Sequence, residues 1–393
     1  MSKWEMVKLR DVCDVRDGTH DSPKYVANGY PLVTSKNVTN GYIDITDVNY
    51  ISIEDYKKII VRSGVNDGDI IMPMIGTIGN PVVVQKTFDF AIKNVALIKF
   101  VGNSVYNKYI YYILASSIFK KYIEKENRGG TQKFISLSNI RNFSLPFPPL
   151  ETQRQIAKTL DTAAELLALR KQQLAELGNL INSTFYDMFG DPVANEKRWV
   201  VEKLMDVATK IGSGATPKGG KESYQDDGIS LIRSMNVHNG LFKYEQLAHI
   251  NDEQAKQLNN VVVRENDVLI NITGASVARS CIVPSGVLPA RVNQHVSIVR
   301  LNEEKANPEY INNMFISNSF QTRLLSIGGA GGATREAITK QQLQDLVIPL
   351  PPLPLQIHFS SVVTKIEEQK ALVKKAIDET QYLFDSLMSE YFD

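Results

Sequence analysis

The chain shows two kinds of hydrophobic pattern. Short apolar or alternating runs between Gly, Asn and Asp residues predict short strands joined by turns, and the clearest runs cover residues 43–45, 82–84, 261–263 and 296–299. Apolar residues at helical spacing predict one helix near residues 107–125 and another near 308–325. A longer helical pattern comes after each of these. The chain is therefore predicted to have two globular parts of mixed α and β structure, each followed by one long helix.

The two long helices carry a heptad pattern. Each begins after a pair of prolines, in "LPFPPLETQRQ" from Leu145 and in "IPLPPLPLQIH" from Ile348. Proline fixes φ and has no N–H, so it suits the first turn of a helix and stops the helix from extending backwards. A helix of about 40 residues spans about 60 Å, and a heptad seam needs a helical partner. The predicted seam residues are Ile156, Leu160, Leu167, Leu174, Leu177, Ile181, Phe359, Val363, Ile366, Val373, Ile377 and Phe384.

The two seams are expected to face each other in an antiparallel pair. Each contains a basic residue, and Lys370 is expected to stand where the first helix has Arg170. The alternative is that each helix packs separately on its own globular part. Gln153 and Gln356 lie near the first turns, where they would satisfy either helix end groups or a partner.

The second half of the chain repeats the first. An offset of 203 sets residues 148–150 on 351–353 and continues without a gap until Phe189 meets Phe392. Such self-similarity indicates a repeated architecture. Earlier segments match at slightly smaller offsets, and these are residues 4–12 with 199–207, 29–41 with 228–240, and 65–76 with 263–274.

The repeat divides the chain into four segments. We expect a first globular domain at residues 1–147, a first helical region at 148–190, a second globular domain at 191–350 and a second helical region at 351–393. The repeat closes on itself, because the segment after Gly190 corresponds to the region before Trp4. The expected fold class is α+β, with two repeated mixed domains separated by two long antiparallel coiled-coil helices in a circular, pseudo-two-fold arrangement.

Composition excludes several classes of protein. Hydrophobic residues make up 43% of the chain and charged residues 22%, which is ordinary for a folded globular protein. Its apolar stretches fall short of the roughly 20 residues that a membrane span needs, and the start has no apolar core of a signal peptide. Cys13 and Cys281 offer neither a disulfide framework nor metal-ligand spacing. We therefore expect a cytoplasmic protein with no membrane association.

Charge is distributed unevenly over the segments. Residues 1–145 carry 19 Lys and Arg against 14 Asp and Glu, whereas residues 191–349 carry 17 of each. The helical regions at 150–190 and 350–393 are both acidic. If nucleic acid is bound, the globular parts are expected to bind it.

The sequence contains no recognisable reaction site. The stretch "GSGATPKGGKE" at residues 212–222 has neither the P-loop nor the Rossmann spacing. The stretch "FPPL" at residues 147–150 lacks the polar residue of an amino-methyltransferase loop. The five histidines are scattered, without pairing for a metal or a nucleophile relay. We predict no catalytic residue, no metal and no cofactor for this chain.

Taken in order, these features resemble the specificity subunit of type I restriction-modification systems. They are the twin "PPL" helix starts with Gln153 and Gln356, the Trp and Lys-Leu openings at Trp4 and Trp199, the Gly-rich segments before Pro23 and Pro217, and the Gly-rich turns at residues 129–131 and 331–334. The resemblance covers nearly all 393 residues. As a departure, residues 18–23 lack the second glycine present at Gly214.

This resemblance implies a division of labour among subunits. Each globular domain would be a target-recognition domain that reads one half of a bipartite, interrupted site in double-stranded DNA. The implied partners are two copies of a modification subunit, which binds S-adenosylmethionine and methylates adenine, and restriction subunits, which use ATP. The helices would act as a ruler, because two reading heads on one face of B-DNA lie about 34–36 Å apart.

Residues for DNA contact are predicted from their chemistry on loops. Phosphate contacts use Lys, Arg and backbone amides, and base contacts use Arg, Asn, Gln, Ser or Thr. For any one residue the alternative is an ordinary solvated surface role. The candidates in the first domain are Thr19, His20, Lys24, Ser35, Lys36, Asn37, Thr77, Asn80, Lys93 and Asn94, and those in the second are Ser213, Thr216, Lys218, Arg233, Ser234, Asn236, Ser276, Arg279, Arg291, Asn293 and Gln294.

Two other functions are alternatives. A structural adaptor with two protein-binding domains on a coiled-coil spacer would tolerate high salt, whereas DNA binding weakens steeply with salt. A self-sufficient methyltransferase would bind S-adenosylmethionine alone, and the absent motifs argue against it.

Overall fold

The computed structural model divides into two compact units. It describes residues 4–392 except 40, 77, 101, 103, 127–133, 218 and 330–336, and it leaves the side chain of Lys221 undescribed. The first unit comprises residues 1–171 and 375–393, and the second comprises residues 172–374. Each unit is therefore assembled from stretches that include parts of both long helices, Leu150–Phe189 and Leu353–Phe392.

The first unit contains three sheets and a short hairpin. Met6–Lys8 pairs with Ser144–Pro146, and Val38–Thr39 pairs with Tyr42–Ile43. The central sheet has the strand order Asp14–Asp17, Val95–Lys99, Ile70–Pro73 and Val82–Val83, and the outer sheet has the order Ala91–Ile92, Tyr30–Val33, Asn49–Ile51 and Tyr25–Val26. The shorter helices are Leu9–Val12, Ile53–Ser63, Asn107–Ala115, Ser117–Glu126 and Leu137–Asn142, with a 3-10 turn at Ser35–Asn37.

The second unit repeats this plan. Val201–Lys203 pairs with Val347–Pro349, and Val237–His238 pairs with Leu241–Phe242. The central sheet has the order Ala208–Ser213, Val296–Leu301, Val268–Asn271 and Ser280–Ile282, and the outer sheet has the order Ala248–Ile250, Ile229–Ile232 and Ala290–Val292. The shorter helices are Leu204–Val207, Asp252–Gln257, Pro308–Ile316, Asn318–Gly329 and Lys340–Gln344, with 3-10 turns at Gly220–Ser223, Ser234–Asn236, Asn259–Val261, Gly274–Ser276 and Ser285–Val287.

Both central sheets are buried on two faces. In the first unit Ile70 and Met72 face a core formed with the helices, while Ile71 faces a core against the outer sheet. In the second unit, Val268 faces the core formed with the helices, and Leu269 faces the core against the outer sheet. Successive strand residues point to opposite faces, which explains why these strands are solid apolar runs in the sequence.

Matching contacts confirm the internal repeat at the level of single residues. The hydroxyl of Tyr109 donates to the carbonyl of Pro146 at 2.8 Å, and Tyr310 donates to Pro349 at 2.8 Å. A buried carboxylate pairs with a cation on the neighbouring strand in both units, Asp69 with Lys99 at 2.6 Å and Asp267 with Arg300 at 2.7 Å.

Each of the two buried glutamines forms hydrogen bonds between the start of a long helix and the unit that contains that start. Gln153 donates to the carbonyl of Pro148 at 2.9 Å and accepts from the backbone N–H of Tyr106 at 2.9 Å. Gln356 makes the same pair of bonds, with the carbonyl of Pro351 at 2.7 Å and the N–H of Asn307 at 2.9 Å. Of the two roles left open by the sequence, the glutamines therefore satisfy groups within their own unit.

Several local predictions need correction. The run predicted as a strand at residues 261–263 is not a regular strand, because a 3-10 turn ends at Val261 and Val262 makes only an isolated β-bridge to Arg291. The strand predicted at 43–45 ends at Ile43. Each helix predicted after a globular part is two helices, because Ser116 and Ser317 adopt extended backbone and donate their hydroxyls to the carbonyls of Ile113 and Met314.

Arg170 and Lys370 are not equivalent, contrary to expectation. Arg170 donates to the carbonyl of Ala376 and to the hydroxyl of Thr380 within the first unit. Lys370 instead pairs with Glu367 on its own helix at 2.5 Å. The offset of 203 places Val373, not Lys370, at the position of Arg170.

Candidate nucleic-acid interface

Three loops meet at one edge of the first unit. The backbone N–H of Thr19 donates to the carbonyl of Ile92 at 3.0 Å, and Ser35 donates its hydroxyl to the carbonyl of Asn94 at 3.2 Å. Lys93 donates to the hydroxyl of Ser22 at 2.6 Å. We call Thr19, His20, Ser35, Lys93 and Asn94 the first loop cluster. Five of the ten residues predicted in this domain are thus brought together.

His20 is held in place at the surface of this cluster. Its Nε2 lies 2.7 Å from Oδ2 of Asp17, and its Nδ1 lies 3.2 Å from Oδ1 of Asn94. Asp17 is buried and also pairs with Arg62, whereas the His20 side chain is 62% exposed. The buried carboxylate therefore orients an imidazole ring that remains accessible.

The second unit joins the corresponding loops by a chain of side chains. The hydroxyl of Thr216 donates to Oε1 of Gln294 at 2.6 Å, and Nε2 of Gln294 lies 2.9 Å from Nε2 of His295. Nδ1 of His295 lies 2.5 Å from the hydroxyl of Thr273. We call Thr216, Thr273, Gln294 and His295 the second loop cluster. It links segments that are far apart in sequence into one surface.

A groove of about 440 Å³ lies beside the second loop cluster. Arg279 contributes a cationic side chain to the lining of this groove, and hydroxyl groups and one thioether also line it. The residues that line it are Ser234, Met235, Thr273, Gly274, Ala275, Ser276, Arg279 and His295.

The sequence missed five of these lining residues: Met235, Thr273, Gly274, Ala275 and His295. The signal in the sequence was the glycine that ends the repeated segment at residues 263–274, because Gly274 has a φ of 78°. Such a left-handed residue marks a tight loop, and its neighbours would have been reasonable candidates.

Four predicted contact residues shape the loops instead. Asn37 is 2% exposed and donates to the carbonyls of Asp44 and Asp47, both at 3.0 Å. Asn236 is also buried and bonds in the same way to Lys243. A base contact would require these bonds to break, which leaves buried polar groups unpaired. We therefore remove both asparagines from the set of proposed DNA contacts.

The prediction that Arg291 and Asn293 contact DNA is corrected for the same reason. Arg291 donates to the carbonyl of Ala255 and to the side chain of Asn259, both at 3.2 Å, and burial lowers the pKa of its guanidinium. Asn293 is buried and accepts from the N–H of His295 at 3.0 Å. Neither side chain faces solvent as a DNA contact would require.

The remaining candidates lie outside the two loop clusters or at their margins. Lys36 pairs with Asp47 at 3.1 Å, and Arg233 donates to the carbonyl of Gln246 while its guanidinium lies 5.4 Å from the ring centre of Tyr224. Thr77 and Lys218 fall outside the described residues. The others, all at least partly accessible, are Lys24, Asn80, Ser213, Ser234, Ser276 and Arg279.

The expectation that the first domain lacks the glycine present at Gly214 also needs correction. A Cβ on Gly18 would lie 2.4 Å from the carbonyl oxygen of Ile92, and one on Gly214 would lie 1.7 Å from that of Val292. The two glycines make the same close backbone approach. Gly18 is therefore the counterpart of Gly214, and the first domain does not lack that glycine.

Neither metal nor thiol chemistry is supported within the described ranges. Among those residues no group of three or more His, Cys, Asp and Glu side chains could hold a metal ion. Cys13 and Cys281 are buried, and burial raises the pKa of each thiol to about 12. Because the thiolate is the reactive form, neither cysteine is suited to catalysis. The same part of the chain includes no helix long and apolar enough to cross a membrane.

Comparison with known proteins identifies the family of this chain. Residues 1–179 and 196–381 each match the family described as "Type I restriction modification DNA specificity domain". The chain belongs to this family. The matched stretches cover both halves of the repeat.

Similar proteins agree with this assignment along nearly the whole length of the chain. The chain is 22% identical to the MjaIX type I restriction enzyme specificity subunit of Methanocaldococcus jannaschii, over 98% of this chain and 91% of that protein. It is 20% identical to the EcoKI specificity subunit of Escherichia coli, over 94% and 83%. The chain is a specificity subunit of this family.

Solved structures of similar fold support the architecture. A chain from a study of complex assembly and conformational transition in a type I restriction-modification system has a TM-score of 0.63 at 18% identity, covering 99% of this chain and 97% of that one. The specificity subunit from M. genitalium has a TM-score of 0.57 at 14% identity, with 100% and 96% covered. These similarities establish the fold of the repeated α and β units.

Proposed function

We propose that this specificity subunit reads a bipartite, interrupted target in double-stranded DNA, one half-site in each globular part, and thereby directs adenine methylation and restriction by its partners. The observation that carries the proposal is the recurrence of one polar loop cluster on two copies of the same scaffold. Two similar frames with different exposed side chains suit the reading of two different half-sites. The first globular part adds an excess of positive charge, which favours a polyanion.

The catalytic groups would come from partner subunits. We propose two copies of a modification subunit, which bind S-adenosylmethionine and methylate adenine, and restriction subunits that use ATP. The internal repeat supports this stoichiometry, because two equivalent surfaces bind two identical partners equivalently. The chain itself would bind neither cofactor, and we place the complex in the cytoplasm.

The long helices would serve as the spacer between the two reading surfaces. A circular, pseudo-two-fold arrangement is supported by the composition of each unit, because residues 375–393 belong with residues 1–171. All twelve predicted seam residues are buried or half-buried. We propose that the two helices pair as an antiparallel coiled coil and set the gap between half-sites.

A map of methylated adenines tests the proposal. A bacterial host free of adenine methylation would express this chain with its modification subunit, and its genome would be read by single-molecule sequencing. One bipartite motif with a fixed gap is expected, and it should disappear when this chain is left out.

The structural adaptor is the competing outcome. An unmodified genome, in cells where the complex forms and binds S-adenosylmethionine, would contradict DNA targeting. Binding of the purified complex to DNA of the mapped motif should also weaken steeply as salt rises, since each phosphate contact releases counterions. Binding to partner proteins that persists in high salt without DNA binding would favour the adaptor.

A further inference from the structure

Strand register identifies one loop position that the two units share. Ile70 pairs with Val83 in the first unit, and Val268 pairs with Ile282 in the second. Counting back three residues along each second strand leads to Asn80 and to Arg279. These two residues therefore occupy the same position.

Backbone geometry supports this equivalence independently. Asn80 follows Gly79, which has a φ of 81°, and Arg279 follows Ala278, which has a φ of 70°. A non-glycine residue in this left-handed region is unfavourable, so the surrounding fold must impose it. The same turn thus presents a different side chain in each unit.

Arg279 is available for a ligand. Its side chain has no hydrogen-bond or ion-pair partner in the described part of the chain, and it lines the groove of about 440 Å³ beside the second loop cluster. Hydroxyl groups of Ser234 and Ser276 and the thioether of Met235 lie along the same groove. Asn80 is exposed, and none of the described residues bonds to its side chain.

The second loop cluster fixes the walls of this groove. The chain of contacts from Thr216 through Gln294 and His295 to Thr273 joins three loops, each contact lying between 2.5 and 2.9 Å. A groove whose walls are fixed before binding loses less entropy when a ligand enters. His295 and Gln294 therefore act as positioning residues for the surface that presents Arg279.

We propose that this loop position reads one base in each half-site, with Arg279 selecting guanine and Asn80 selecting adenine. Arginine donates two parallel hydrogen bonds to O6 and N7 of guanine in the major groove, and asparagine pairs with N6 and N7 of adenine. The inference rests on the proposed function, because it assigns a base to a residue of the same DNA-reading surface.

Exchange of the two side chains tests the assignment. Methylated adenines would be mapped for complexes that carry Arg279→Ala, Arg279→Asn or Asn80→Arg in the full chain. Arg279→Ala should relax one guanine position in one half-site, with preference for guanine reduced by about 5- to 150-fold. Arg279→Asn should shift that position toward adenine, and Asn80→Arg should shift an adenine toward guanine in the other half-site only.

Controls separate base reading from other roles. Arg264→Ala removes an exposed arginine of the same unit outside the groove, and it should leave the motif unchanged. Melting temperature and binding to the modification subunit establish that each variant folds and assembles. His295→Ala should weaken the preference for guanine at the same position as Arg279→Ala does. It removes contacts that fix the groove wall and leaves the side chain proposed to contact the base in place.

Two outcomes would overturn the proposal. If Arg279→Ala lowers methylation equally at all sites and keeps the motif, the guanidinium contacts a phosphate. If a folded, assembled Arg279→Ala complex keeps both the motif and its activity, the residue does not contact DNA. Absence of any motif in the wild-type complex would instead contradict the proposed function itself.

Discussion

At the scale of single residues, Gln153 and Gln356 connect the sequence repeat to the stability of each unit. Both side chains are buried, and each joins the proline-led start of a long helix to the backbone N–H of the residue that caps the start of a neighbouring helix. A buried polar group left without a partner costs more than the net gain of one hydrogen bond. These glutamines are therefore structural residues, although they lie in the motif that carries the family resemblance.

Gln153→Ala should destabilise the first unit by about 1–3 kcal/mol, because the N–H of Tyr106 and the carbonyl of Pro148 lose a buried partner. Chemical denaturation of the full chain, followed by circular dichroism, would measure the change. Gln172→Ala is the matched control, since Gln172 is exposed on the same helix and its side chain bonds to the exposed Glu176. Equal stability of the two variants would refute the buried role.

Glu309 shows how the two units differ at one equivalent position. Its counterpart in the first unit is Lys108, which pairs with Asp161 at 2.5 Å. Glu309 instead lines a cavity of about 610 Å³ and faces Glu367. Burial, followed by the charge of Glu367, raises the pKa of Glu309, although a bond from Asn313 partly opposes this shift.

Glu309→Gln should therefore stabilise the protein at neutral pH. A raised pKa means that the folded state favours the neutral acid, so the native carboxylate costs stability above that pKa. The gain in melting temperature should be largest near pH 7.5 and should vanish as the pH falls below the unfolded value of about 4.3. Glu304→Gln, at an exposed site of the same unit, should show no such dependence. A gain that persists at acidic pH would contradict this account.

At the scale of elements, predictability follows the strength of the local signal. The proline-led helices combine a heptad pattern with a defined start, and the structure has helices at Leu150–Phe189 and Leu353–Phe392. The run at residues 261–263 is apolar because Val261, the last residue of a 3-10 turn, and Val263, two residues after it, both fill a core. Periodicity alone does not distinguish such a short apolar run from a strand. The breaks at Ser116 and Ser317 depend on hydroxyl bonds that apolar spacing does not report.

The end of the second long helix is an element of the first unit's core. Phe392 is 4% exposed, and its ring centre lies 5.8 Å from that of Tyr109. Phe384 packs in the same way against Tyr112, with ring centres 6.3 Å apart. The last residues of the chain thus complete a core that begins near its start.

Phe392→Ala should destabilise the first unit by about 3–5 kcal/mol, as expected for truncation of a buried aromatic residue. Limited proteolysis would test this, with earlier cleavage expected between residues 4 and 147. Tyr382→Ala is the control, because Tyr382 lies on the same helix and is 78% exposed. Unchanged proteolysis of the Phe392 variant would show that the helix end is dispensable to this core.

At the scale of the whole molecule, the sequence predicted the repeat better than the residues of the proposed DNA-reading surface. The repeat is visible as a constant offset, whereas a contact residue is defined by what its side chain touches. Asn37 and Asn236 satisfied every criterion of residue type, yet their amides bond within their own loops. His295 was missed because its role depends on Gln294 and Thr273, and no spacing rule brings those loops together.

The proposed spacer leads to a prediction for the assembled complex. The boundaries between units fall within both long helices, after Lys171 and after Lys374. Repeating residues 171–177 in the first helix and 368–374 in the second would therefore lengthen each helix by one heptad and keep its seam in register. Each helix gains about 10 Å, which corresponds to about three base pairs of DNA at about 3.4 Å per pair.

A methylation map of this double insertion should show both half-sites unchanged and the gap between them enlarged by about three base pairs. The half-sites persist because every residue of both loop clusters remains within its own unit. Insertion into one helix alone is the control, since it offsets the two seams and should abolish methylation. An assembled double variant that keeps the original gap, or that recognises altered half-sites, would refute the role of the helices as a spacer, because the distance between reading surfaces would then be set by the partner subunits.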